Sequence, residues 1–292
     1  MNEYYYFKQT GTPEIHAAIV GISKEDWVCA LAQEKLPDVY QKMAANGFDI
    51  LPKVNRNGNV HSYYCTKSWG RYAEDGIELK NIQPEDSLYY TTNIKDVIRL
   101  MYEQGRNYFF LANYTDVIGL ITISNLNCKQ VALYYYNLVC SLEKALGMFV
   151  RGCLDRDQIL HSLEKLGREK NKRSALDTVK RFNADFSKGL DGSIIEYLYL
   201  SDLFLLISHH QMYKRLGYKT QDLFLRDTDK LNTLRNSIAH PNKSLVKSRE
   251  TLNDLWKAFI KIEELEDMLS HWSKNPTDKL KTKSLNSSIL NA

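Results

Sequence analysis

The sequence lacks long apolar runs, paired cysteines and a strong excess of either charge. No stretch approaches the roughly 18 consecutive apolar residues of a membrane-spanning helix, so no membrane span is expected. Residues 1–10 have no basic segment followed by an apolar one, and no secretory signal is expected either. The 5 cysteines are odd in number and contain no CxxC pair, which predicts reduced thiols in a cytoplasmic protein. The formal charge of +4 is too small for a polybasic protein.

Common motifs of catalysis and metal binding are also missing. There is no glycine-rich phosphate loop, no GxSxG and no HExxH sequence. His209 and His210 are adjacent, but they have no cysteine or carboxylate partner at the spacing of a zinc site. Partly buried, hydrogen-bonded histidines are therefore favoured over metal ligands, and no metal or cofactor is expected.

Charge and composition divide the 292 residues into two parts. Residues 1–127 carry 12 Lys or Arg against 15 Asp or Glu and are rich in β-branched and aromatic runs. Residues 128–292 carry 27 Lys or Arg against 20 Asp or Glu and have apolar residues at helical spacing. We expect an α+β chain with an α/β domain over residues 1–127, an all-α domain over residues 128–275 and a flexible polar tail over residues 276–292.

The first part contains an internal repeat with an offset of 58 residues. Each copy is predicted to have a helix (37–45 and 94–103), a glycine at its end, and two strands joined by a tight turn. Chance agreement and duplication both remain open, and the shared order of elements favours duplication. The offset superimposes Asp38 on Asp96, Val39 on Val97, Met43 on Met101, Gly47 on Gly105 and Asn55 on Asn113.

The segment Gly119-Leu120-Ile121-Thr122-Ile123-Ser124-Asn125-Leu126 resembles the closing strand of CBS domains, in which a Gly leads to a Ser or Thr and then to an Asp. With the repeat, residues 15–127 resemble a tandem CBS pair, a sandwich that binds adenosine nucleotides between its two copies. The resemblance implies that Thr122 contacts phosphate and that Asn125, which replaces the Asp, contacts ribose. Cys65 and Ser68 hold the corresponding positions of the first copy. The alternative is a scaffold that has kept the fold and lost its ligand.

The second part has apolar residues at helical spacing. Helices are predicted at residues 127–150, 194–212, 227–240 and 246–272, and short connections favour an antiparallel bundle. Residues 167–187 are strongly basic and form either a solvated helix face or a contact to the RNA backbone, which would be sensitive to salt. The candidate RNA-binding residues are Arg168, Lys172, Arg173, Lys180 and Arg181.

His240 lies directly before Pro241, where a helix must end because proline pushes the preceding residue out of the α conformation. On a continuous helix, Arg235 would point about 140° away from His240, at roughly 100° per residue. The two side chains converge on one substrate if the helix unwinds before Pro241. Histidine then suits proton transfer and arginine suits phosphate.

The string Arg235-Asn236-Ser237-Ile238-Ala239-His240 resembles the Arg-x4-His motif of HEPN domains, helical bundles that include metal-independent ribonucleases. The resemblance implies that Arg235 and His240 are catalytic, that Asn236 assists, and that two motifs meet across a homodimer. The alternative to a catalytic role is that this spacing arises by chance and that Arg235 pairs with Asp229 or Glu266. The predicted function is an RNA endonuclease gated by an adenine-nucleotide sensor. The other hypothesis is a non-catalytic adenosine-ligand sensor or adaptor that dimerises and binds a protein partner.

Overall fold

The computed structural model describes residues 14–67, 76–114, 116–169, 171–190, 192–240 and 244–274. Ser68, Pro241 and the predicted tail lie outside these ranges. The chain divides into two compact units, a first unit of residues 1–134 and 245–253 and a second unit of residues 135–244 and 254–292. The domain boundary at residue 127 stays a prediction.

The first unit is an α/β structure whose described strands form two sheets. One sheet has the strand order β1-β7-β6-β5, in which β5 and β6 are parallel and the other pairs antiparallel. The other sheet is antiparallel with the order β2-β3-β4. The elements are α1 (Ala17–Val20), β1 (Ile22–Ser23), α2 (Leu36–Asn46), β2 (Ile50–Val54), β3 (Val60–Thr66), β4 (Ile77–Asn81), β5 (Ser87–Tyr89), α3 (Ile94–Glu103), β6 (Tyr108–Asn113) and β7 (Asp116–Thr122).

The order predicted from the repeat is present in both copies, since α2 leads to the hairpin β2–β3 and α3 leads to the hairpin β6–β7. Gly47 and Gly105, which follow the two helices, have φ angles of 66° and 71°, the left-handed geometry expected of glycines there. The elements α1, β1, β4 and β5 were not predicted. They have only two to five residues each, too few for a detectable period.

The apolar positions that the repeat superimposes belong to the core of the first unit. Val39 and Met43 on α2, and Val97 and Met101 on α3, are all 0% exposed. Val39 and Met43 pack against β2 and β3. Burial of such a side chain contributes about 1.5–3 kcal/mol, so these matched positions help to hold each helix in place.

The described residues from 129 to 274 are mainly helical, as predicted. The first and last of these helices bury their apolar residues at helical spacing, each at most 8% exposed: Val131, Tyr134, Tyr135, Leu138, Leu142, Leu146 and Phe149 in the first, and Leu252, Leu255, Trp256, Phe259, Ile262, Leu265 and Leu269 in the last. None of the helices in the described ranges is long and apolar enough to cross a membrane. The helices are α4 (Lys129–Cys153), α5 (Arg156–Glu169), α6 (Arg173–Phe186), α7 (Leu200–His209), α8 (Gln221–Ala239) and α9 (Arg249–Lys274).

The prediction of one continuous helix over residues 194–212 is wrong. A 3₁₀ turn at Ile194–Tyr197 precedes α7, and Tyr199 has extended backbone angles. The buried carboxylate of Asp202 accepts a hydrogen bond from the backbone N–H of Tyr199 at 3.2 Å, which caps α7 and fixes its start at Leu200. A capping carboxylate inside an apolar run is invisible to a periodicity argument.

Candidate functional site

The helix α8 ends where the sequence predicts, although it begins at Gln221, six residues before the predicted start. His240 follows its last residue with extended angles, φ −108° and ψ 95°, and its side chain is exposed. Asn236 is also exposed, whereas Arg235 is half-buried. Within the part of the chain that the structure describes, no hydrogen bond or ion pair joins Arg235 to His240. The structure therefore places the two predicted catalytic residues on one helix end without a hydrogen bond or ion pair between them.

Arg235 contacts Glu143 of α4 and the ring of Tyr199. Its Nε atom lies 3.8 Å from Glu143 Oε1, and its guanidinium carbon lies 5.7 Å from the centre of the Tyr199 ring. Burial raises the pKa of the Glu143 carboxyl, while Arg235 and the backbone N–H of Leu200 act in the opposite direction. The pairing of Arg235 with Asp229 or Glu266, weighed from sequence, is not what the structure contains.

A second arginine faces the same ring. The guanidinium carbon of Arg181, on α6, lies 4.9 Å from the centre of the Tyr199 ring. Its Nη2 atom donates to the carbonyl oxygen of Tyr197 at 3.2 Å and to Thr178 Oγ1 at 3.3 Å, which fixes its position. Arg181, Arg235, Tyr199 and Glu143, called here the arginine cluster, bring two guanidinium groups to one ring. Two carboxyls face them, Glu143 beside Arg235 and the buried Asp202 near Arg181, and burial raises the pKa of both. Such a cluster suits an anion.

The other candidate RNA-binding residues do not join the arginine cluster. Arg168 pairs with Glu164 at 3.8 Å and Lys180 pairs with Asp177 at 3.9 Å, each within its own helix. Lys172 and Arg173 are exposed at the start of α6. Among the described residues, none of these four contacts Tyr199 or Arg235. Of the five predicted residues, the structure groups Arg181 alone with the Arg-x4-His segment.

Sequence reasoning missed Glu143 and Tyr199. A signal for Glu143 was present, because it is the sole acidic residue among the 25 of α4 and lies beside buried leucines. Tyr199 offered no comparable signal, since an aromatic residue before an apolar helix has many roles. Tyr199 is 41% exposed and Arg181 is exposed as well, so part of this cluster is accessible to a ligand.

The adjacent histidines form no metal site among the described residues, in which no group of three metal-ligating side chains occurs. His210 Nε2 lies 2.8 Å from Ser162 Oγ, and burial, with the neighbouring His209, lowers the pKa of His210 to about 4. His210 is thus a half-buried, hydrogen-bonded histidine, as the sequence predicts, whereas His209 is exposed.

The first unit contains a cavity of about 350 Å³ beside strands β1, β2 and β7, which is called the cleft below. Thr122 and Asn125, the predicted ligand-binding residues, both line it. Gly119 allows β1 to approach β7, because an added Cβ atom would lie 2.7 Å from the carbonyl oxygen of Ile22. The cleft is also lined by Asp26, Trp27, Phe48 and Asp49.

Thr122 and Asn125 are joined by hydrogen bonds in the cleft. The backbone N–H and the Oγ1 hydroxyl of Thr122 lie 2.7 Å and 2.8 Å from the side-chain oxygen of Asn125. A backbone N–H can only donate, so the atom that it faces is the amide oxygen, and the hydroxyl must donate to that oxygen as well. Cys65 lies in the core with 5% exposure and does not line the cleft, and burial raises the pKa of its thiol.

No family model matches the chain, and no curated protein matches it. Its N-terminal part is similar to solved structures of CBS-domain proteins. A hemolysin-like CBS-domain protein of Oenococcus oeni PSU is 12% identical with a TM-score of 0.30, over 42% of this chain and 93% of that one. CBSX2, solved in complex with AMP, is 13% identical with a TM-score of 0.30, over 38% and 92%. An uncharacterised protein from Pyrococcus horikoshii is 14% identical with a TM-score of 0.30, over 39% and 89%.

Proposed function

We propose that the protein is a metal-independent RNA endonuclease of HEPN type and that its helical part carries the chemistry. The observation that supports this most is the pair of guanidinium groups, Arg181 at 4.9 Å and Arg235 at 5.7 Å, on the exposed ring of Tyr199. A planar guanidinium group matches two oxygens of a phosphate. Two such groups, opposed by the carboxyls of Glu143 and Asp202, whose pKa values are raised by burial, would attract an RNA backbone.

Three residues of the Arg-x4-His segment have roles in the proposed reaction. Arg235 stabilises the negative charge that develops on the phosphorus oxygens, and His240 moves the proton of the attacking 2′-hydroxyl or of the leaving oxygen. Asn236 hydrogen-bonds the bound phosphate or ribose. Because no hydrogen bond or ion pair joins Arg235 to His240 among the described residues, we propose that a homodimer assembles one cleavage site from two segments.

The remaining basic residues, Arg168, Lys172, Arg173 and Lys180, are proposed to contact the RNA backbone around that site. Their exposure and their weak ion pairs leave them free to exchange partners. Such contacts are independent of sequence and weaken as the salt concentration rises. RNA binding that does not change with salt would leave these four residues as a solvated surface.

The test is incubation of single-stranded RNA with the purified protein and excess chelator, followed by analysis of the ends. We expect products with a 2′,3′-cyclic phosphate, and a loss of about 10²–10⁴ in rate for His240→Ala. Arg235→Lys should also be impaired, since a point charge cannot replace a planar fork. Arg226→Ala is the matched control, because Arg226 is an exposed arginine on the same helix, paired with Asp227.

Absence of cleavage above the His240→Ala background would overturn the nuclease proposal. The protein would then be a non-catalytic adaptor that dimerises and binds a protein partner. A monomer at micromolar concentration, measured by light scattering, would overturn the composite site even if cleavage occurs.

The cleft favours a second function. We propose that the first unit is a CBS pair that binds an adenosine ligand through Thr122 and Asn125 and thereby controls cleavage. The support is that both residues, chosen from the sequence motif, line one cavity of about 350 Å³. Calorimetry should detect binding that is lost in Thr122→Ala plus Asn125→Ala and kept in Ser62→Ala, a control on β3. Submicromolar binding that survives the double substitution would place the site elsewhere.

A further inference from the structure

Two exposed aromatic rings of the second unit are each faced by a guanidinium group. Phe186, the last residue of α6, is 49% exposed, and the guanidinium carbon of Arg156 lies 5.2 Å from the centre of its ring. Tyr199 has the same arrangement, with Arg181 at 4.9 Å and Arg235 at 5.7 Å. Aromatic rings and guanidinium planes are the surfaces on which proteins stack the bases of single-stranded RNA.

A chain of contacts connects the two exposed rings. Phe186 packs on Phe182 with ring centres 5.8 Å apart and planes inclined by 21°, and Phe182 meets Tyr197 edge to face at 5.5 Å. Arg181 joins Tyr197 to Tyr199, because its Nη2 atom donates to the Tyr197 carbonyl oxygen while its guanidinium group faces the Tyr199 ring. Phe182 is buried and anchors these contacts in the core of the second unit. The four residues, called here the aromatic row, are Phe186, Phe182, Tyr197 and Tyr199.

The acidic residues near the aromatic row leave its arginines able to change partners. Arg156 Nε lies 3.2 Å from Asp157 Oδ1, and both side chains are more than half exposed. An ion pair so exposed contributes little to stability and is readily replaced. Asp185 accepts a hydrogen bond from the Tyr197 hydroxyl at 3.1 Å and lies 3.5 Å from Lys188 Nζ. The exposed rings, and not an excess of positive charge, therefore set the kind of ligand that this surface fits.

We propose that the aromatic row holds unpaired nucleotides of the RNA substrate, with one base stacked at Phe186 and another at Tyr199. Each base stacks on the open part of the ring or on the guanidinium plane that faces it, and the arginine donates to the adjoining phosphate. The inference rests on the proposed nuclease function and goes beyond it, because it assigns base contacts to residues outside the Arg-x4-His segment. Such stacking favours unpaired over paired RNA and depends little on sequence, since every base has a π face.

Fluorescence anisotropy of labelled RNA tests this in the His240→Ala background, with excess chelator present. The probes are a single strand of about 12 nucleotides, a duplex of the same length, and an abasic strand of the same length. The single strand should bind at least about fivefold more tightly than the other two. Phe186→Leu and Tyr199→Leu should each weaken binding of the single strand by about 5- to 100-fold and affect the abasic strand much less. Leu190→Ala is the matched control, because Leu190 is an exposed apolar residue close to Phe186 in the chain.

The outcomes separate this inference from the function on which it rests. An unchanged affinity in either leucine variant, an equal loss for the abasic strand, or binding of none of the three probes would overturn the stacking site. If Tyr199→Leu fails to fold, Phe186→Leu decides, and Phe186→Trp should restore binding because it keeps an aromatic face. Cleavage is measured separately with the unsubstituted protein. Its absence, with ring-dependent binding intact, would overturn the nuclease proposal and leave the stacking site standing.

Discussion

Replacement of Tyr199 by leucine should lower the free energy of unfolding of the second unit by about 1–2 kcal/mol. The ring lies 4.9 Å from the Arg181 guanidinium carbon and 5.7 Å from that of Arg235. Each cation–π contact at a partly exposed position contributes about 0.5–1 kcal/mol. The residue is 41% exposed and leucine is apolar, so lost burial adds little. Tyr199→Phe keeps the ring and should change the free energy of unfolding by less than about 0.5 kcal/mol.

The assay is urea denaturation of Tyr199→Leu in two backgrounds, the wild type and Arg181→Ala plus Arg235→Ala. In the second background the cations are gone, and Tyr199→Leu should lose most of its effect. The difference between the two backgrounds is the coupling energy of the ring with the arginines. An equal loss of stability in both backgrounds would refute the cation–π reasoning and remove the main support for the arginine cluster as an organised anion site.

Two more outcomes are expected. Burial lowers the pKa of His210 to about 4. As the pH falls below about 6.5, His210 is therefore protonated in the unfolded chain but not in the folded chain, and folding becomes less favourable. Between about pH 7 and pH 5 the free energy of unfolding, measured by urea denaturation, should fall by about 1–2 kcal/mol. An equal fall in His210→Gln would contradict the assignment of this effect to His210. Gly119→Ala should destabilise the first unit by about 1–3 kcal/mol, because its Cβ atom would lie 2.7 Å from the Ile22 carbonyl oxygen; unchanged thermal unfolding would argue against that close approach.

Features set by neighbouring residues were predictable from the sequence. The α2 and α3 helices, the left-handed glycines after them and the end of α8 at His240 all depend on a few adjacent side chains. The interruption before α7 depends on the buried Asp202, which accepts a hydrogen bond from the hydroxyl of Thr178 on α6 as well as from its own helix start. Such a contact becomes visible once the helices are packed.

The candidate site was predictable in part for the same reason. The motif placed Arg235 and His240 on one helix end, and the three-residue spacing placed Thr122 next to Asn125. The partners of Arg235, Glu143 and Tyr199, come from other helices. The periodic pattern shows which face of a helix is apolar, but it does not show which other helix packs against that face. Arg181 was therefore predicted as a member of a basic segment and not as a neighbour of Arg235.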